Sequence, residues 1–145
     1  MSEAVTETVE RIGRCLCGAV TVTAKAMPKE IGACHCATCR RWGGGPFVEA
    51  TCGPAVEFSG EDCISVYDSS EWAERGFCRE CGTHLFYRLK QTGGHHLPVG
   101  LFDIDDTLEM TMQVFVDQRP GYYRFANSTK ELTGPEVFAM FGGEE

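Results

Sequence analysis

Long apolar runs, a basic excess and a targeting signal are all missing from this chain of 145 residues. No run approaches the roughly 18 apolar residues that suggest a membrane-spanning helix. The formal net charge is −8, whereas nucleic-acid and polybasic membrane contacts need clustered Lys and Arg. The N-terminal MSEAVTETVERIGR is polar and acidic, unlike a secretory signal or a basic transit peptide. We therefore expect a cytoplasmic protein without nucleic-acid or membrane partners.

The chain also has no internal repeat, linker or low-complexity segment, and its length suits one domain. Its 17 glycines are spread along the sequence, which favours many tight turns. Candidate strands recur about every ten residues with turn signals between them, so we predict an all-β fold of antiparallel sheets. We expect residues 1–10 to form a flexible leader. Residues 126–145 form a C-terminal extension, in which Pro135 opens a short helix.

Alternation of apolar and polar residues identifies the clearest strands. In GAVTVTAK, threonines separate the apolar positions, which predicts a strand with one solvated face. In MTMQVFVDQ, the alternation predicts one apolar face near the end of the domain. These two apolar faces consist of Val20, Val22 and Ala24, and of Met110, Met112, Val114 and Val116.

Cysteine, in contrast, is abundant: the chain has nine, an odd number that cannot pair completely within one molecule. A reducing cytosol would not maintain a disulfide framework, so we interpret the cysteines mainly as metal ligands. Cys52 and Cys63 stand alone and are most simply buried core thiols. The other seven form three motifs, namely Cys15-Leu-Cys17-Gly, Cys34-His-Cys36-Ala-Thr-Cys39 and Cys78-Arg-Glu-Cys81-Gly.

The first and last motifs predict a closed structural site. A Cys-x-x-Cys turn followed by Gly is typical of half a zinc ribbon, and it needs two further thiolates. Cys15 and Cys17 can supply them, which completes a tetrahedron with Cys78 and Cys81. Two alternatives stay open at this point: a redox dithiol at Cys78 and Cys81, and simple buried thiols at Cys15 and Cys17.

The middle motif predicts a second, open zinc site. Cys34, Cys36 and Cys39 have no fourth cysteine at matching spacing. Catalytic zinc sites keep a position free for water or substrate, whereas structural sites are closed. His35, or Cys52 or Cys63, could still serve as a fourth ligand, and the three cysteines could also hold no metal in the isolated protein.

Residues beside this motif are candidates for binding an anionic ligand. Arg40 and Arg41 follow Cys39 directly and suit a carboxylate, although both could be solvated loop charges. Trp42 could wall a pocket or belong to the core. His84, together with the His95-His96 pair, is a candidate acid–base group. Gly43-Gly44-Gly45 is no phosphate loop, because no Lys-Ser/Thr follows it; we expect it to give the cysteine loop its freedom.

These motifs resemble the family of the glutathione-dependent formaldehyde-activating enzyme and centromere protein V. The matching segments are Cys-x-Cys-Gly, Cys-His-Cys-x-x-Cys-Arg and Phe-Cys-x-x-Cys-Gly-Thr-x-Leu, at Cys15–Gly18, Cys34–Arg40 and Phe77–Leu85. The segments Gly100–Asp103 and Gln113–Val116 are similar to that family as well. The resemblance covers about Arg11 to Phe125, which we take as one zinc-binding domain.

The resemblance implies a fold, two metals and a reaction. The fold is a β-tent of antiparallel sheets, similar to the Mss4-like zinc proteins. One structural zinc would bind Cys15, Cys17, Cys78 and Cys81, and a second, exchangeable zinc would bind Cys34, Cys36 and Cys39. The named activity joins glutathione and formaldehyde as S-hydroxymethylglutathione.

Two functions from different classes follow from the sequence. The first is a zinc-dependent carbon–sulfur lyase that acts on an adduct of glutathione, or another small thiol, with an aldehyde. The second is a zinc-stabilised binding module without catalysis, because Mss4-like domains include partner-binding proteins. The acidic balance and the lack of a basic extension argue against a chromatin role.

Overall fold

A computed structural model describes residues 7–140 of the chain, and within them two β-sheets pack around one core. The first six residues of the predicted leader lie outside this range, while Thr8 to Glu10 already belong to the first strand. The strands are β1 (Thr8–Arg14), β2 (Thr21–Pro28), β3 (Glu30–Cys34), β4 (Phe47–Gly53), β5 (Val56–Ser59), β6 (Ile64–Tyr67), β7 (Ala73–Cys78), β8 (His84–Leu89), β9 (His95–Pro98), β10 (Glu109–Val114) and β11 (Lys130–Leu132).

The smaller sheet is antiparallel and has the order β1-β2-β5. Its centre, β2, has the predicted alternation: Val22 and Ala24 are fully buried, whereas Thr21 and Thr23 are half-buried. Met27 is buried at the end of the same strand. The solvated and buried faces of this strand therefore follow directly from its apolar pattern.

The larger sheet has eight strands in the order β11-β10-β3-β4-β9-β8-β7-β6. Most pairs are antiparallel, as predicted, but β10 runs parallel to both β3 and β11. The sheet is therefore mixed. Parallel pairing of β10 with β3 is possible because a long stretch of chain separates the two strands, whereas a tight hairpin joins only antiparallel strands. Within β10 the predicted apolar face is only half-buried, and the fully buried side chain is Gln113.

The core lies between the two sheets. The smaller sheet contributes Val22, Ala24 and Met27, and the larger sheet contributes side chains such as Leu85 and Leu97. Cys52 is buried in this core and Cys63 packs against it, in agreement with the interpretation of both as core thiols.

Two α-helices complete the described chain, α1 (Ala37–Gly43) and α2 (Gly134–Met140). The predicted terminal helix is α2, with Pro135 in its first turn. Its start is a capping box: the Glu136 amide N–H donates to Thr133 Oγ1 at 3.3 Å, and the Thr133 amide donates to Glu136 Oε1 at 2.7 Å. Neither helix of residues 7–140 has the length and apolar character needed to cross a membrane.

Helix α1 was not predicted, because the sequence there reads as a glycine-rich loop. Gly44 ends the helix in a left-handed conformation, with φ at 86°, and its amide donates to the Arg40 carbonyl at 2.7 Å. A glycine is favoured at such a position since it lacks a Cβ. At Gly44 the glycine run thus ends a helix, a role that the sequence did not predict.

Candidate metal centres

Four cysteines from both sheets form one cluster, the outer cluster of Cys15, Cys17, Cys78 and Cys81. Their Sγ atoms all lie within 4.8 Å of one another. Cys15 and Cys17 lie in the β1–β2 turn of the small sheet, while Cys78 ends β7 and Cys81 lies in the turn that leads to β8. The cluster therefore joins the two sheets at one end of the core.

The spacing of the outer sulfurs fits a tetrahedral zinc ion. The Sγ atom of Cys17 is 3.7 Å from that of Cys15 and 3.8 Å from that of Cys78. Zinc–sulfur bonds of about 2.3 Å place the sulfurs of a tetrahedral site about 3.8 Å apart. Four thiol ligands at this spacing suit a closed, structural zinc site.

The two turns that carry these cysteines have matching geometry. The Gly18 amide donates to the Cys15 carbonyl at 3.1 Å, and the Gly82 amide donates to the Cys78 carbonyl at 2.7 Å. Both glycines have φ of 81°, a value that side-chain-bearing residues rarely adopt. The glycine after each cysteine pair is thus required by the turn that aims the sulfurs.

Thr83 connects the two halves of the outer cluster. The Leu16 amide donates to Thr83 Oγ1 at 3.0 Å, and Thr83 Oγ1 lies 3.2 Å from Cys81 Sγ. Hydrogen bonds from the Thr83 side chain and backbone lower the pKa of Cys81 to about 5. These hydrogen bonds therefore favour the thiolate form of Cys81, which is the form that binds a metal.

The second group is the triad of Cys34, Cys36 and Cys39, whose Sγ atoms also lie within 4.8 Å of one another. Cys34 ends β3, Cys36 is the N-cap of α1, and Cys39 is buried in the first turn of that helix. The Cys39 amide donates to Cys36 Sγ at 3.3 Å. Because Cys36 is the N-cap and Cys39 follows three residues later, the first turn of α1 brings their two sulfurs close together.

Within residues 7–140, no histidine, carboxylate or fourth cysteine joins the triad as a common neighbour. His35 is fully buried with both ring nitrogens occupied: Nε2 lies 2.8 Å from Gln113 Oε1, and Nδ1 lies 2.8 Å from the Tyr123 hydroxyl. The His35 side chain therefore links the end of β3 to β10 and to Tyr123. The geometry does not support His35, Cys52 or Cys63 as a fourth ligand.

The three thiols of the triad compete for protons. The pKa of Cys36 is lowered to about 2, because the side chains of Cys34 and Cys39 hydrogen-bond to its thiolate. The pKa of Cys34 is raised, because its own thiol hydrogen-bonds to Cys36 and Cys39. Three thiolates this close need a cation to ionise together, which fits a divalent metal.

Arg75 lies against the triad, and sequence reasoning missed it. Its Nη2 donates to Cys39 Sγ at 3.6 Å, and its side chain is buried. Cys39 is 36 residues away in sequence, so no local pattern connects the two. The only sequence signal is an arginine in a strand of mostly buried residues, AERGFC.

Trp42 and His84 form the wall beside Arg75. The Trp42 ring stacks on the His84 ring at a centroid distance of 3.8 Å, and it contacts Phe47 edge-on. Burial and the nearby Arg75 charge lower the pKa of His84. The other two candidate histidines lie in β9, where His95 is buried and His96 Nδ1 is 3.0 Å from Glu49 Oε1.

Arg40 and Arg41 line a cavity of about 560 Å³ whose lining includes none of the triad cysteines. Arg40 Nε donates to the His35 carbonyl at 2.9 Å, which fixes part of its guanidinium, while Arg41 is exposed. Trp42 does not line this cavity. The remaining lining residues are Ala37, Gly44, Gly45, Pro46, Tyr122, Tyr123, Arg124 and Phe125.

Comparisons with known proteins agree with the sequence motifs. The family described as "Glutathione-dependent formaldehyde-activating enzyme" matches residues 10–118. An uncharacterized lyase of Schizosaccharomyces pombe is 35% identical over 128 residues, which are 86% of this chain and 92% of that protein. The crystal structure of a Rhodobacter sphaeroides protein is similar with a TM-score of 0.58 and 23% identity, over 68% of this chain and 96% of that chain. That structure supports the fold alone.

Proposed function

Since the chain belongs to the family of the glutathione-dependent formaldehyde-activating enzyme, we propose that it is a zinc-dependent carbon–sulfur lyase. Its substrate is an adduct of glutathione, or another small thiol, with an aldehyde such as formaldehyde. The observation that carries the proposal is the contrast between the two clusters: the outer one has four sulfurs, and the triad has three with no fourth protein ligand among the described residues.

The reaction is a reversible addition. The thiol S–H adds across the aldehyde C=O, so that a carbon–sulfur bond forms and the proton ends on oxygen; the reverse step breaks that bond and returns the proton to sulfur. Zinc held by Cys34, Cys36 and Cys39 would supply a Lewis acid for the carbonyl and would lower the pKa of a bound thiol. Three thiolate ligands would make that zinc ion a weak electrophile, which would favour thiol binding over activation of water.

The protein itself orients the cysteine ligands of the triad and provides positive charge for an anionic substrate. Helix α1 orients Cys36 and Cys39, and its N-cap hydrogen bond keeps the Cys36 sulfur in place. Arg40, Arg41 and Arg124 give the 560 Å³ cavity a positive lining in a chain of net charge −8. We assign the carboxylates of an anionic thiol such as glutathione to this cavity, with Arg41 the most accessible of the arginines that follow the triad.

A reducing compartment suits this chemistry. All nine cysteines are free thiols in the structure, and the two clusters need them reduced. We also propose a cytoplasmic location, two zinc ions per chain and small-molecule partners, and the net charge of −8 argues against nucleic-acid or membrane partners.

Exchange NMR on mixtures of glutathione and formaldehyde tests the proposal. Because the uncatalysed addition already proceeds, the quantity to measure is the acceleration of adduct formation and breakdown by the zinc-loaded protein. Acceleration that is lost in Cys36→Ser supports the lyase. Absence of both acceleration and glutathione binding, by isothermal titration of the same sample, would reject it and favour the non-catalytic binding module.

A further inference from the structure

Arg75 is a buried cation that has no acidic partner among residues 7–140. Only 4% of its surface is exposed, and no carboxylate within residues 7–140 forms an ion pair with it. Its Nε and Nη1 atoms are buried and have no hydrogen-bond partner in the described part of the chain. An isolated buried charge is strongly unfavourable, so an anion is expected beside it.

Two aromatic rings fix the guanidinium in place. Its central carbon lies 4.9 Å from the centroid of Trp42 and 4.8 Å from that of Tyr87. Arg75 and Tyr87 are also direct partners across β7 and β8. The cation is thus held at the triad by packing on α1 and β8, and its Nη2 donates to the Cys39 sulfur at 3.6 Å.

The charges of the triad and Arg75 are complementary. Three thiolates and one divalent metal ion carry a single net negative charge, which the guanidinium neutralises. We propose that Arg75 is the positioning residue that acts as counter-ion of the metal-loaded triad and determines how tightly the triad holds its metal. It also lets the triad accept an anionic thiolate with less charge repulsion. This inference rests on the proposed function for the metal at the triad.

Cobalt titration tests the role of Arg75 without any activity assay. Co²⁺ bound by thiolates gives a charge-transfer absorption, and competition with a chelator gives the affinity of each cluster. In Arg75→Met, which keeps length and packing but removes the charge, we expect about 10- to 100-fold weaker Co²⁺ binding at the triad, the loss usual for partners of metal ligands. Arg75→Lys, which keeps the charge, should recover most of that affinity, and the outer cluster should be unchanged in both variants.

Arg88→Met is the matched control, because Arg88 lies in β8 and pairs with Glu74 at 3.1 Å, away from the triad. Equal Co²⁺ affinity in Arg75→Met and the parent would overturn the inference, as would equal losses in Arg75→Met and Arg75→Lys. If Arg75→Met is insoluble, Arg75→Gln takes its place with the same expected loss. If the parent chain binds Co²⁺ only at the outer cluster, both the proposed metal site at the triad and this inference are refuted. If the parent binds two Co²⁺ ions and the Arg75 variants keep the same affinity, only this inference is refuted.

Discussion

The Trp42 indole and the His84 imidazole are nearly parallel, with 3° between their planes and 3.8 Å between their centroids. Trp42 lies in α1, which contains Cys39 of the triad and has Cys36 as its N-cap, and His84 is the first residue of β8, three positions after Cys81 of the outer cluster. This stack packs the helix beside the triad against the strand that follows the outer cluster. It also occupies one face of Trp42, whose predicted part in substrate binding stays a prediction.

The outer cluster and the triad should each bind one zinc ion, with different affinities. We expect close to two zinc ions per chain in protein purified with zinc under reducing conditions, and mild chelation should remove the triad metal first because that site has fewer protein ligands. Elemental analysis before and after chelation measures both. Freshly reduced protein without any metal would contradict the assignment of both clusters.

Loss of an outer ligand should unfold the protein. Structural zinc contributes roughly 10 kcal/mol or more of apparent binding free energy, comparable to the whole free energy of unfolding of a domain, about 5–15 kcal/mol. Cys78→Ser should therefore be insoluble or unfolded by circular dichroism. Cys63→Ser, which changes a cysteine outside both clusters, is the control, and similar melting of Cys78→Ser and Cys63→Ser would argue against a structural site.

Loss of a triad ligand should leave the fold intact. Serine is a good N-cap residue, so Cys36→Ser keeps the start of α1 while it removes one of three ligands. We expect one zinc per chain, a melting temperature close to that of the parent, and no thiol binding or lyase acceleration. Full activity in this variant would exclude the triad as the catalytic centre.

Removal of the exposed arginine should weaken binding of an anionic thiol without loss of metal. Arg41→Ala should bind glutathione about two- to fivefold more weakly, the range of an exposed ion pair. The difference should shrink at high salt, where screening already weakens the contact. Isothermal titration at two salt concentrations measures it, with Lys25→Ala on the small sheet as a charge-matched control. A loss of equal size in both variants would point to net charge alone.

Acid should destabilise the fold partly through His95. Burial against Phe58 and Phe86 lowers the pKa of His95 below its usual 6.5, so the unfolded chain binds this proton more readily than the folded one. The free energy of unfolding should therefore fall as pH drops below about 6.5. In His95→Phe this fall should be smaller, although acid release of metal is common to both proteins. Urea unfolding at pH 7.5 and pH 5.5 gives the difference, and parallel losses in the two proteins would contradict the assignment.

The cysteines within each motif were predictably close, because turns of two or three residues place sulfurs together whatever the rest of the fold does. The alternation in β2 and the capping box of α2 are local in the same way. That the first and last motifs meet was only inferred from the count of ligands, because Cys17 and Cys78 are 61 residues apart. In contrast, α1 was hidden by its glycines, since a helix of seven residues has little helix-forming signal of its own and depends on its packing against β4 and β8.

The sequence by itself determined the seven clustered cysteines, the family and a β-rich fold with a terminal helix, because these depend on local spacing and on residue type. Only the tertiary structure decided what surrounds the triad. The parallel pairing of β3 with β10 brings Gln113 to His35, and the pairing of β7 with β8 sets Arg75 against Tyr87 beside Cys39. The His35–Gln113 contact joins residues 78 positions apart and the Arg75–Cys39 contact joins residues 36 positions apart, and such contacts form only when the sheets assemble around the core.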